Sequence, residues 1–234
     1  MDTEVTAAPT DDRLARIAAP WHLALVLCMQ IGLSVRGFLR SDQLRAIANP
    51  DRISLYQHTI LFQWLVFALV IAGVRLHGTS LYTVMGKRWR SLHQLGADLG
   101  LGFLLLICSI ILPAILGPHS QDQAERATEF LLPRGGAEIA WWIVLSLTAG
   151  FCEEVLFRGY LQQQFAAMTR NATTGILLSA VLFGAAHGYQ GLWKAVIISI
   201  MGAVLGVAAH WRKSIRPGMV AHILQDVLGG LMRH

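Results

Sequence analysis

Charged residues are scarce in this sequence: Asp, Glu, Lys and Arg make up 14% of the 234 residues, whereas hydrophobic residues make up 54%. A typical soluble domain has about 25% charged residues, so the composition excludes an ordinary soluble fold. Cysteine is scarce as well. Cys28, Cys108 and Cys152 lie in apolar segments and form no C-x-x-C pair, which argues against a disulfide framework and a thiolate metal site.

The motifs of several common enzyme classes are also missing. The sequence contains no G-x-S-x-G, no phosphate-binding G-x-x-x-x-G-K-[ST] and no H-E-x-x-H pattern. Although the net charge is +5, Lys and Arg are scattered between apolar segments and form no basic patch with interleaved aromatic residues. We therefore expect membrane lipid, and no nucleic acid, as the partner of the basic loops.

Apolar segments predict the fold. Each one is expected to be helical, because a segment in lipid must satisfy its own backbone hydrogen bonds. They predict an all-α, polytopic transmembrane bundle of about seven (six to eight) spanning helices in the cell membrane. We expect a polar tail at 1–19 and a single membrane-embedded domain at 20–232, with the motif-bearing part at about 96–232. The segments are residues 20–35, 56–74, 96–117, 137–167, 172–188, 192–210 and 217–232.

Ionisable residues occur inside these segments, where each costs about 2.5–3.5 kcal/mol on insertion scales and is by default functional or tightly paired. Three of them form the motif Glu153-Glu154-x-x-x-Arg158. Glu154 and Arg158 share a helix face within salt-bridge reach, whereas Glu153 points about 100° away. We infer that Arg158 holds Glu154 while Glu153 faces a cavity as a general base. A structural cluster of the three charges is the alternative.

Two further motifs place His and Asp in later segments. Phe183 and His187 are four residues apart, with small residues between them that permit close helix approach. His222 and Asp226 are also four apart and lie on one face of the last segment. A His–carboxylate pair can orient an imidazole, donate to an oxyanion or ligate a metal. For both motifs the alternative is that the polar side chains are hydrogen-bonded residues that serve helix packing.

Together, the three motifs offer groups that can activate water and stabilise a tetrahedral oxyanion. This combination favours hydrolysis of a peptide bond within the membrane. A proton- or metal-coupled transporter is an alternative, because intramembrane Glu, His and Asp also form proton relays. No internal repeat of the kind that transporters show is found in the sequence.

The order E-E-x-x-x-R, F-x-x-x-H and H-x-x-x-N/D, from about Gly150 to Asp226, resembles the CPBP family of CAAX proteases and bacteriocin-processing proteins, also called Abi. The resemblance implies an all-helical intramembrane endopeptidase acting on a peptide or protein that is lipid-modified or membrane-anchored. It implies that Glu153 activates the hydrolytic water and His187 helps to position it. A catalytically inactive immunity or scaffold relative is the alternative. The implied site residues are Glu153, Glu154, Arg158, His187, His222 and Asp226.

Asp226 departs from the prenyl-protein enzymes of that family, which have Asn at this position. The resemblance assigns His222 and Asp226 to the oxyanion, yet an ionised Asp cannot donate a hydrogen bond. Either Asp226 is protonated, or it only orients His222, or the site binds a metal. We expect no cofactor, although Zn²⁺ held by Glu153, His187, His222 and Asp226 stays open because imidazole nitrogen and carboxylate oxygen are zinc ligands.

Overall fold

Long helices make up most of the structure. The computed structural model describes residues 15–116 and 128–232, and this part of the chain contains eight helices and no strand. The predicted all-α membrane bundle is confirmed. The helices are α1 Pro20–Arg45, α2 Arg52–Leu76, α3 Leu81–Met85, α4 Leu92–Leu116, α5 Gly136–Thr169, α6 Ala172–Ala186, α7 Leu192–Arg212 and α8 Arg216–Leu231.

Five of the described helices, namely α1, α2, α4, α5 and α7, are long and apolar enough to cross a membrane. Helices α6 and α8 have 15 and 16 residues, fewer than the roughly 20 that a crossing needs. The first two helices are longer than their apolar segments. Helix α1 continues to Arg45, and α2 begins at Arg52, where the side chain of Asp51 caps it by accepting from the Ser54 N–H at 3.0 Å.

Helix α5 is continuous over 34 residues, and its Val155–Leu161 part is π-helical. All seven residues of the π-helical part are buried. A neighbouring helix adds a hydrogen bond to this wider turn: the Phe157 carbonyl accepts from the Gln162 N–H within α5 and, at 2.7 Å, from the hydroxyl of Ser179 on α6. Short π-helical segments within α-helices are frequent at functional sites, and this one begins directly after Glu154.

Helix α5 also contacts α2, α6 and α8, which places it at the centre of the bundle. Gly150 of α5 allows a close approach to α8. A Cβ atom on Gly150 would lie 2.4 Å from the Ile223 side chain and 2.9 Å from the Ile223 backbone nitrogen. A small residue is therefore required where the two helices meet, one turn before the acidic pair.

Buried polar contacts fix the start of α1 against α2 and α5. His22 Nε2 lies 3.0 Å from the Leu69 carbonyl, which can only accept, so Nδ1 accepts from the Tyr160 hydroxyl at 2.7 Å. The Gln164 amide donates to the Ala18 carbonyl at 2.9 Å. Only residues 15–19 of the predicted tail lie in the described part of the chain, and the division of tail from domain stays a prediction.

Candidate active site

The first motif lies in the middle of α5 and contains a fully buried ion pair. Arg158 Nη1 lies 2.8 Å from Glu154 Oε1, and the two side chains are 1% and 0% exposed. Arg158 Nη2 also donates to the Gly202 carbonyl at 3.3 Å, and the guanidinium lies 4.1 Å from the centre of the Phe183 ring. Glu154 and Arg158 are therefore held by each other and by α7 and α6.

The Glu153 carboxylate makes two different kinds of contact. Oε1 accepts a hydrogen bond from Gln63 Nε2 of α2 at 2.8 Å. Oε2 has no hydrogen-bond partner among the described residues and lies 4.0 Å from His187 Nε2 and 3.8 Å from His222 Nε2. These distances are too long for direct hydrogen bonds, but one water molecule can contact two groups at this spacing.

His187 caps the C-terminal end of α6. Its Nδ1 lies 2.8 Å from the Phe183 carbonyl oxygen, so this nitrogen donates and Nε2 of the neutral ring is the acceptor that faces Glu153. The ring is in edge contact with Phe183, with centroids 4.8 Å apart, and is stacked with Tyr189 at 6.3 Å. Thus the predicted proximity of Phe183 and His187 is present although the helix ends one residue earlier.

His222 of α8 is surrounded by carboxylates. Nδ1 lies 3.2 Å from Glu154 Oε1, while Nε2 lies 3.6 Å from Asp226 Oδ2 and 3.8 Å from Glu153 Oε2. Both ring nitrogens therefore face acceptor oxygens. Helix α8 approaches closely enough for this because residue 218 is glycine: a Cβ atom on Gly218 would lie 2.7 Å from Glu154 Oε2.

The structure thus brings all six candidate residues together between α5, α6 and α8, and it adds two that the sequence analysis missed. Gln63 lies inside an uncharged stretch of α2. A polar side chain in a spanning helix is a signal by which Gln63 could have been identified from the sequence.

Tyr189 is the second of these residues and lies in the short turn Gly188–Gln190 after His187, outside the spanning helices. Burial raises the pKa of Tyr189 to about 12, and the charges of Glu153 and Asp226 add to the rise. No motif marks this tyrosine.

The donor atoms are spaced more widely than the ligand atoms of a tetrahedral zinc site. Tetrahedral zinc with bonds of about 2.0–2.1 Å needs ligand atoms roughly 3.3 Å apart, whereas the imidazole and carboxylate atoms are 3.6, 3.8 and 4.0 Å apart. Within residues 15–116 and 128–232, no three His, Cys, Asp or Glu side chains are grouped closely enough to hold a metal ion. The expectation of no cofactor stays a prediction.

Fold and site together define a class of protein: a helical membrane protein with carboxylate and imidazole groups gathered inside its bundle. Residues 135–228 match the family model described as type II CAAX prenyl endopeptidase Rce1-like, so this part of the chain is similar to that family. The resemblance to CAAX proteases is therefore confirmed, and it supports an integral membrane peptidase with a peptide or protein substrate. No curated protein and no solved structure gives a significant match.

Proposed function

We propose that this protein is an intramembrane endopeptidase in which Glu153 activates the hydrolytic water. One observation carries the proposal: Glu153 Oε2 is without a hydrogen-bond partner among the described residues and faces two imidazole nitrogens at 3.8 and 4.0 Å. A water bound there donates one hydrogen to Glu153 and the other to His187 Nε2. The contact of His187 Nδ1 with the Phe183 carbonyl supports this role, because it fixes Nε2 as the acceptor.

In the proposed reaction the water oxygen attacks the carbonyl carbon of the scissile bond while one water proton moves to Glu153 Oε2. The C–N bond of the tetrahedral intermediate then breaks. The Glu153 carboxyl group returns the proton to the leaving amine nitrogen, so the same group serves first as base and then as acid. The products are a new carboxyl terminus and a new amino terminus.

His222 is the proposed donor to the oxyanion. Its Nδ1 donates to Glu154 Oε1 at 3.2 Å, and the carboxylate of Asp226, 3.6 Å from Nε2, stabilises a second proton on the ring. The Nε2–H group can then donate to the negative charge that develops on the carbonyl oxygen. In this proposal Asp226 orients His222 and stabilises its protonated form, so no hydrogen-bond donor is needed at position 226.

The proposed substrate is a peptide or protein that reaches the site from within the membrane. The carboxylates and imidazoles lie between α5, α6 and α8, with Gln63 of α2 beside them, and both α2 and α5 are long enough to cross a membrane. Because the matched family is described by prenyl CAAX endopeptidase activity, prenylated C-terminal peptides are the first substrates to test.

The test is cleavage of prenylated and other membrane-anchored peptides by the purified protein in detergent. Glu153→Gln is expected to lower the rate by about 10²–10⁴-fold, since it removes the base. Glu129→Gln makes the same change at a carboxylate that is 64% exposed and outside the three motifs, and it is the matched control. Equal cleavage by wild type and Glu153→Gln contradicts the proposal, and loss of cleavage on adding a chelator would identify a metalloprotease instead.

A further inference from the structure

Helix α2 lies outside the segment 135–228 that matches the family model, yet it supplies one side chain to the site. Gln63 Nε2 lies 2.8 Å from Glu153 Oε1. A carboxylate only accepts hydrogen bonds, so the NH₂ group of the carboxamide faces it and donates. Among the described residues, this is the only hydrogen bond that Glu153 receives.

We propose that Gln63 is a positioning residue for Glu153, an inference that rests on the proposed function. A glutamate side chain has three rotatable bonds, and one of its two oxygens must point at the water. By holding Oε1 against α2, Gln63 directs Oε2 toward His187 and His222, which lie at 4.0 and 3.8 Å. The neighbouring acid Glu154 is engaged by Arg158 and takes no part in this contact.

The second half of the Gln63 carboxamide argues against a purely structural role. Gln63 Oε1 is buried and has no hydrogen-bond partner among the described residues. A buried polar atom without a partner lowers stability, whereas an apolar side chain of similar shape at the same place would not. The unpartnered Oε1 therefore offsets part of the stability that the hydrogen bond from Nε2 to Glu153 provides.

Gln63→Met tests this directly because methionine has similar length and no donor. We expect kcat to fall about 10- to 100-fold, which corresponds to the loss of one hydrogen bond to a charged group, with KM unchanged within about twofold. Thermal stability in detergent is expected to change little, because the loss of the donor to Glu153 Oε1 and the removal of the unpartnered Gln63 Oε1 act in opposite directions. Gln30→Met is the matched control: it makes the same change on α1, where the Gln30 amide donates to the Ser34 hydroxyl at 3.4 Å.

Gln63→Glu provides a rescue experiment. A carboxyl group at position 63 can donate to Glu153 only while it is protonated, so the rate of this variant relative to wild type is expected to increase as the pH falls. The relative rate of Gln63→Met is expected to be independent of pH. The charged or titratable groups that interact with Glu153 are unchanged in both variants; they are His187 and Tyr189 after α6, His222 and Asp226 on α8, and Cys152 and Arg158 on α5, with Glu154 next to Glu153 in sequence.

The outcomes separate the two proposals. If Gln63→Met keeps the wild-type kcat while Glu153→Gln is inactive, the positioning role is wrong and the proposed function stands. If Gln63→Met raises KM and leaves kcat unchanged, Gln63 contacts substrate and the positioning role is again wrong. If Glu153→Gln is as active as wild type, the proposed function itself fails.

Discussion

Replacing Arg158 with Met removes the positive partner of Glu154 and keeps an unbranched apolar side chain in its place. In the wild-type protein the two charged groups are 2.8 Å apart and at most 1% exposed. A buried charge that loses its partner destabilises a protein by about 3–5 kcal/mol. Because His222 Nδ1 lies 3.2 Å from the same Glu154 oxygen and retains part of the compensation, we expect a loss near the lower end, about 3 kcal/mol.

Reversible unfolding in mixed detergent micelles, followed by tryptophan fluorescence, measures this loss. The double variant Glu154→Gln/Arg158→Met removes both charges and is expected to be more stable than Arg158→Met alone, with a coupling of at least about 1 kcal/mol. Arg134→Met is the surface control. It breaks an ion pair of 3.3 Å with Glu129 in which the side chains are 53% and 64% exposed, so its cost is expected to be about 0–1 kcal/mol.

A cost for Arg158→Met as small as that of Arg134→Met would refute the reasoning. It would mean that Glu154 does not depend on Arg158 as a buried charge. We assign Glu153 as the water-activating carboxylate because Arg158 engages Glu154. That assignment would then lose its physical basis. Additive effects in the double variant would lead to the same conclusion.

Three further predictions concern the surroundings of Glu153. His187→Ala is expected to lower kcat by about 10²-fold or more, because the water loses its second acceptor; an unchanged kcat in the peptide assay would contradict this. Asp226→Asn is expected to retain more activity than Asp226→Leu, since an amide keeps a polar oxygen near His222 Nε2, which is 3.6 Å from Oδ2 in the wild type; equal rates would show that no polar atom is needed there. Ser179→Ala is expected to lower the free energy of unfolding by about 0.5–1.5 kcal/mol, because the Phe157 carbonyl loses the Ser179 hydroxyl and keeps only the Gln162 N–H as donor; a neutral effect would show that the π-helical turn does not need the second bond.

The fold class could be predicted because apolar runs report the lipid environment directly, and a chain in lipid has few structural options. The number of membrane-crossing helices was predicted less accurately than the fold class. Segments 172–188 and 217–232 are apolar, but the helices found there have only 15 and 16 residues. Arg170 and Lys213 end the preceding helices in the left-handed conformation, with φ of 53° at both, and such local turns leave little trace in composition.

Within the site, sequence spacing predicted the contacts that lie within one helix. Glu154 with Arg158 and His222 with Asp226 are each four apart and lie within 2.8 and 3.6 Å, even though the π-helical turn begins between the first two. Contacts between helices followed no such rule. Nothing in the spacing from Gln63 to Glu153, 90 residues apart, indicates which polar residue of α2 meets the acid.

The short length of α6 explains how His187 and Glu153 reach the same level of the bundle. Glu153 lies near the middle of the 34-residue α5, whereas His187 directly follows the end of α6. Since 15 residues of helix span only about 22 Å, α6 ends before it could cross a hydrocarbon layer of about 30 Å. A helix end leaves its last carbonyl groups without partners inside the helix, and here His187 supplies two of the missing donors: its Nδ1 to the Phe183 carbonyl and its backbone N–H to the Gly184 carbonyl. The truncated end of α6 therefore fixes the imidazole whose Nε2 faces Glu153.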